Sequence, residues 1–106
     1  MTNVLINVPK TAKRGEVIEL KALIMHPMET GFRPGPNGRI IPQNIIERFV
    51  ATWNGAEIFR MEFSPAIAAN PFVSFFAVAT ESGTIGFRWT GDEGFLAEES
   101  VAIAVG

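Results

Sequence analysis

The stretch Ile45-Ile46-Glu47-Arg48-Phe49-Val50-Ala51-Thr52-Trp53-Asn54-Gly55-Ala56-Glu57-Ile58-Phe59-Arg60-Met61-Glu62-Phe63 reads as two strands joined by a tight turn. Asn54-Gly55 is the strongest short hairpin signal a sequence offers. Both central residues of a type I′ turn need positive φ, and Asn and Gly tolerate it. Ile45 to Trp53 forms the outgoing strand. On the return strand, Glu57 to Phe63, period-2 alternation puts Phe59, Met61 and Phe63 on one face.

The same period recurs on both sides of this hairpin. In Glu16 to Met25, Ile18, Leu20, Ala22 and Ile24 share one face, while Glu19 and Lys21 share the other. Val4 to Val8 is a short first strand stopped by Pro9. Phe72 to Ala79, Ile85 to Trp89 and Phe95 to Val105 supply three more, turning at Glu81-Ser82-Gly83 and Gly91-Asp92-Glu93-Gly94. Ser64 to Pro71 is a connector with room for one helical turn. The stretch from His26 to Pro42 holds Pro27, Gly31, Pro34, Gly35, Pro36, Gly38 and Pro42, a density that forbids a helix or a central strand. A loop this long in a small domain is usually functional or mobile.

About seven strands at roughly 8–12-residue spacing is the pattern of an immunoglobulin-like β-sandwich. The expected fold is therefore all-β, one domain over residues 1–106, with Trp53, Phe59, Phe75, Phe87 and Trp89 buried. The chain is 47% hydrophobic and 19% charged, enough apolar material for one core and unlike a disordered chain. Nine Phe and two Trp supply much of the core volume. Each buried ring contributes on the order of 2–3 kcal/mol.

Net charge is −2 with scattered basic residues, so neither a nucleic-acid footprint nor a basic membrane-binding block is present. Phe63 to Thr80 carries no charge over 18 residues, yet Ser64, Pro65, Asn70, Pro71 and Ser74 break it as a membrane helix. The opening Met1-Thr2-Asn3 runs straight into Val4-Leu5-Ile6, without the basic and apolar regions of a signal peptide. There is no cysteine, hence no disulfide, thiol nucleophile or thiolate-held metal within the chain. Zero cysteine does not fix the compartment.

Side-chain catalysis needs a nucleophile with its base, paired carboxylates or a metal cluster. His26 is the only histidine, beside Pro27 and without a supporting motif, and reads as a loop residue packed against its neighbours. Asp92-Glu93 and Glu98-Glu99 lack the alternating spacing of a calcium loop. Gly83-Thr84-Ile85-Gly86 runs into a strand, where no helix N-terminus follows to hold a phosphate. No catalytic residue, cofactor site or metal site is expected.

What remains is surface. With Val73, Phe75, Ala77 and Ala79 turned to the core, the last long uncharged strand presents Phe72, Ser74, Phe76 and Val78 outward. The strand from Glu16 does the same with Leu23 and Met25. A sandwich normally puts polar residues there, so Leu23, Met25, Phe76 and Val78 are expected to bind a protein partner, unless the long loop or a terminus covers them.

Several longer words in order carry a resemblance to a known family. They are His26-Pro27-Met28-Glu29-Thr30-Gly31, Gly38-Arg39-Ile40-Ile41-Pro42, Ile45-Ile46-Glu47-Arg48-Phe49 and Asn54-Gly55. Phe63-Ser64-Pro65-Ala66-Ile67-Ala68-Ala69-Asn70-Pro71-Phe72 follows, then Phe87-Arg88-Trp89 leading to Gly91-Asp92-Glu93-Gly94. Over nearly the whole chain this resembles SoxZ, the Z subunit of the SoxYZ sulfur-carrier heterodimer of bacterial thiosulfate oxidation. The resemblance implies an immunoglobulin-like sandwich without catalytic residues. It also implies a SoxY-like partner, whose C-terminal Gly-rich arm bears the cysteine that carries the sulfur intermediates. It implies a periplasmic location, reached by export together with that partner. Phe76 and Val78 depart from the polar outer face expected, which enlarges the heterodimer patch or supports a homodimer in isolation. The competing reading is a generic immunoglobulin-like interaction or assembly module.

Overall fold

The structure, a computed structural model, describes residues 3–106; Met1 and Thr2, read above for a leader, lie outside them. Eight strands follow in chain order: β1 (Val4–Asn7), β2 (Thr11–Ala12), β3 (Val17–Ile24), β4 (Ile46–Trp53), β5 (Ala56–Glu62), β6 (Phe72–Val78), β7 (Gly83–Gly91) and β8 (Leu96–Val105). They form a three-stranded sheet in the order β1-β3-β6 and a five-stranded sheet in the order β2-β8-β7-β4-β5. All pairings are antiparallel except the two-residue parallel pairing of β2 with β8. The fold is an immunoglobulin-like β-sandwich.

Alternation explains the layering. Ile18, Leu20, Ala22 and Ile24 of β3 are buried, and so are Phe49, Ala51 and Trp53 of β4 and Ile85, Phe87 and Trp89 of β7. These faces close on each other as the core. Phe49, fully buried, lies at its centre: its ring centroid stands 5.1–6.2 Å from those of Phe59, Phe75, Phe87 and Trp89. The hairpin turn is as expected, with φ of 50° at Asn54 and 85° at Gly55. Asn54 accepts from the Thr84 N–H and donates to the Ser82 carbonyl, tying this turn to the start of β7.

Two expectations need correction. Phe59 is half-buried, because β5 is an edge strand; its ring stacks on Phe75 at 4.4 Å and 6° and has no core on its outer side. The Ser64–Pro71 connector contains a turn, closed by the Ile67 N–H on the Ser64 carbonyl, and no helix. The seven expected strands are all present, and the two-residue β2, paired with the end of β8, adds to them. Among the described residues the sole helical element is a 3-10 turn at Asp92–Gly94, where Glu93 takes a φ of 59°.

Candidate partner-binding surface

The outer face of the three-stranded sheet carries all four residues expected to meet a partner. The register sets Leu5, Leu23 and Phe72 side by side, then Asn7, Lys21 and Ser74, then Glu19 and Phe76, then Val17 and Val78. Met25 continues the β3 face past its end. Phe76 is 68% exposed, Val78 51% and Met25 47%, while Leu23 is half-buried. The face is open: neither the long loop nor a described terminus covers it.

It is not one continuous strip. Leu23 and Met25 sit with Leu5 and Phe72 at one end, and Phe76 and Val78 sit with Val17 at the other. Leu23 and the Phe76 partner Glu19 are four residues apart along β3, about 13 Å. A polar waist fills the gap: the Ser74 hydroxyl donates to Glu19 at 2.6 Å, and Lys21 lies 3.7 Å from the same carboxylate. The sequence reading missed Leu5 and Val17. Leu5 lies in an apolar run that gives no clue to which side faces water.

The long loop leaves this surface directly after Met25 and is anchored by a buried knot. His26 is packed edge-on against Phe95 at 4.9 Å, and its Nδ1 accepts the Met28 N–H at 2.9 Å. Its backbone exchanges bonds with Asn70: the His26 N–H reaches the Asn70 side chain and the Asn70 N–H reaches the His26 carbonyl. Met28 is buried at a φ of 51°, with its sulfur 3.3 Å from the Ile46 N–H. Asp92 closes the other root, accepting from Gln43 Nε2 and the Ile45 N–H. Burial lowers the His26 pKa, and Asp92 opposes the shift. His26 is thus a packed structural residue, as the sequence suggested.

Beyond the knot the loop becomes an arm. Glu29 and Asn44 exchange two backbone bonds, Gly35 and Ile41 donate to Arg39 and Arg33, and Arg33 pairs with Glu29. Phe32, 82% exposed, and Ile40, 56% exposed, stand on it. The irregular composition predicted a loop here and concealed this pairing.

The outer face of the five-stranded sheet has a different chemistry. Arg48 pairs with Glu62, Arg60 with Glu57, and Arg88 with Glu98, bordering a shallow cavity of about 590 Å³. Its arginines are matched by carboxylates, so it presents a mixed-charge solvated surface. Among the described residues no group of three or more His, Cys, Asp or Glu is placed to hold a metal ion, and no helix is long and apolar enough to cross a membrane.

The family described as Sulphur oxidation protein SoxZ matches residues 6–102. No curated protein matches the sequence. Among solved structures, a single-residue variant of the superoxide reductase (neelaredoxin) from Ignicoccus hospitalis superposes with a TM-score of 0.75 at 19% identity, covering 97% of this chain and 79% of that one. The sulfur carrier protein SoxY from Chlorobium limicola f thiosulfatophilum superposes with a TM-score of 0.69 at 11% identity, covering 97% and 78%. A putative superoxide reductase from Thermotoga maritima gives 0.66 at 19%, covering 97% and 85%. At these identities the likeness is one of fold.

Proposed function

The chain belongs to the SoxZ family of sulphur oxidation proteins, and from that premise we propose that it is the non-catalytic subunit of a SoxYZ-type sulfur carrier. In this reading it binds a SoxY-like partner in the periplasm, and the partner's arm cysteine holds the sulfur intermediate. The observation that carries the reading is the family match over a chain without a single cysteine. A covalent sulfur carrier needs a thiolate, so the thiol has to come from another chain. The outer face with Leu23, Met25, Phe76 and Val78 is the proposed contact surface. A specific interface buries roughly 800 Å² per partner around an apolar centre. The arm that leaves this face at Met25 would frame it.

The test pairs this chain with the SoxY encoded in the same genome and measures sedimentation. A one-to-one complex is expected. The double variant Phe76→Asp with Val78→Lys, checked by circular dichroism, should stay folded and bind at least about tenfold more weakly, a loss of roughly 1.4 kcal/mol. A folded variant that binds with unchanged affinity would remove this face from the interface. Absence of any complex with the unaltered chain would refute the function.

A further inference from the structure

Four strand edges border the two sheets: β1, β6, β2 and β5. Exposed edges template pairing with other chains, and natural proteins guard them with shortness, charge, proline or bulges. β2 has two residues and β1 has four, with Pro9 soon after, and the stretches of β8 and β3 that they leave unpaired carry Glu98, Glu99 and Glu19. β5 carries Glu57, Arg60 and Glu62, and a register shift beside Ala51 and Thr52 leaves Ile58 without a partner. β6 has none of these guards. Phe72-Val73-Ser74-Phe75-Phe76-Ala77-Val78 runs seven residues in unbroken register, without charge or proline.

The direction of its backbone groups follows from the two ends of the ladder. The Ile24 N–H bonds the Pro71 carbonyl, and the Ala79 N–H bonds the Glu16 carbonyl at 2.8 Å. Hydrogen-bonded positions alternate in an antiparallel pair, so Val73, Phe75 and Ala77 bond to β3. The N–H and C=O groups of Phe72, Ser74, Phe76 and Val78 therefore aim at the open edge, and β6 has no second neighbour. Beside that edge lies a groove of about 360 Å³, whose lining includes Trp53, Ile58, Phe76 and Val78. Added strands bind in this way, with backbone bonds for affinity and alternate side chains in pockets for specificity.

We propose that β6 is the edge to which the SoxY-like partner adds a strand, extending the three-stranded sheet across the subunit boundary. This rests on the function proposed above. The uncharged edge calls for an apolar strand from the partner. The Chlorobium limicola SoxY has the same fold as this chain, and such a sandwich has strand edges of its own to offer.

Amide hydrogen exchange, read by NMR on this chain alone and in complex with its cognate SoxY, tests the edge. The amides of Phe72, Ser74, Phe76 and Val78 should exchange at least about tenfold more slowly in the complex. Those of Val73, Phe75 and Ala77 should be slow in both. A complex in which the four outward amides exchange as in the free chain overturns the edge and leaves the partner reading standing. Failure to form any complex overturns both. Concentration-dependent protection of the four amides in the isolated chain assigns the edge to a second copy and overturns the partner assignment. Ser74→Pro removes an outward donor, spares the backbone ladder to β3 and loses the Ser74 hydroxyl bond to Glu19, and should abolish the added protection. If that variant fails to fold, the exchange pattern of the unaltered chain decides.

Discussion

Burial lowers the His26 pKa below the ordinary 6.5, and Asp92 offsets only part of the shift. The unfolded chain then binds the extra proton first, so the stability His26 contributes is complete above pH 6.5 and is lost as pH falls through the lowered folded value. Thermal melts should show a falling midpoint from pH 7 downward, beginning before the carboxylates titrate. In His26→Asn the side-chain oxygen can still accept the Met28 N–H, as in an Asx-turn, and this part of the fall should vanish. An unchanged pH profile in that variant would show that His26 does not titrate with unfolding. A lone histidine with no motif made this packed role legible in the sequence. Its Asn70 and Phe95 partners were not, because they lie 44 and 69 positions away and only the folded chain brings them together. Phe49 shows the same limit: its strand was readable, but its place at the aromatic centre depends on how the two sheets stack.

At the scale of elements, period-2 alternation and the Asn54-Gly55 turn made seven of the eight strands readable, because each encodes its own exposed and buried faces. β2 escaped, since two residues carry no period and its pairing with Ala104 and Val105 is long-range. The outer-face residues Leu23, Met25, Phe76 and Val78 were legible for the same reason as the strands. Their division into two clusters was not, since it follows from the register of β3 against β6. Register also sets a sharp steric requirement at Gly91. Beside the irregularity where β4 meets β7, a Cβ on Gly91 would overlap the Ile45 carbonyl oxygen and lie 2.8 Å from the Ile46 Cα. These are backbone atoms, which cannot swing aside. Denaturant titration of Gly91→Ala should show a loss of about 3 kcal/mol, the upper part of the overpacking range. Gly55→Ala, strained by its φ of 85° but with nothing near the added methyl, should lose only about 1 kcal/mol. Equal losses in the two variants would contradict this account of the β4–β7 junction.

The whole molecule is longer than its chain length predicts. Its radius of gyration is 16.1 Å and its extents are 58 × 20 × 19 Å, against about 13 Å for the radius of gyration of a compact domain of this size. β8, the longest strand at ten residues, spans about 34 Å. The longest connection between strands, which holds the arm from Glu29 to Asn44, joins β3 to β4. An elongated body, an outer face with two exposed apolar clusters and an unguarded edge suit a chain built to be held by another. In the division of labour proposed above, this chain supports the carrier while the thiol resides on its partner. Intact-mass spectrometry of both chains tests it most directly, after the cognate SoxY complex has been incubated with thiosulfate and the upstream oxidising enzymes. Sulfur-containing mass additions are expected on the partner alone, with this chain at its unmodified mass in the complex and in isolation. A stable sulfur adduct on this chain would contradict it.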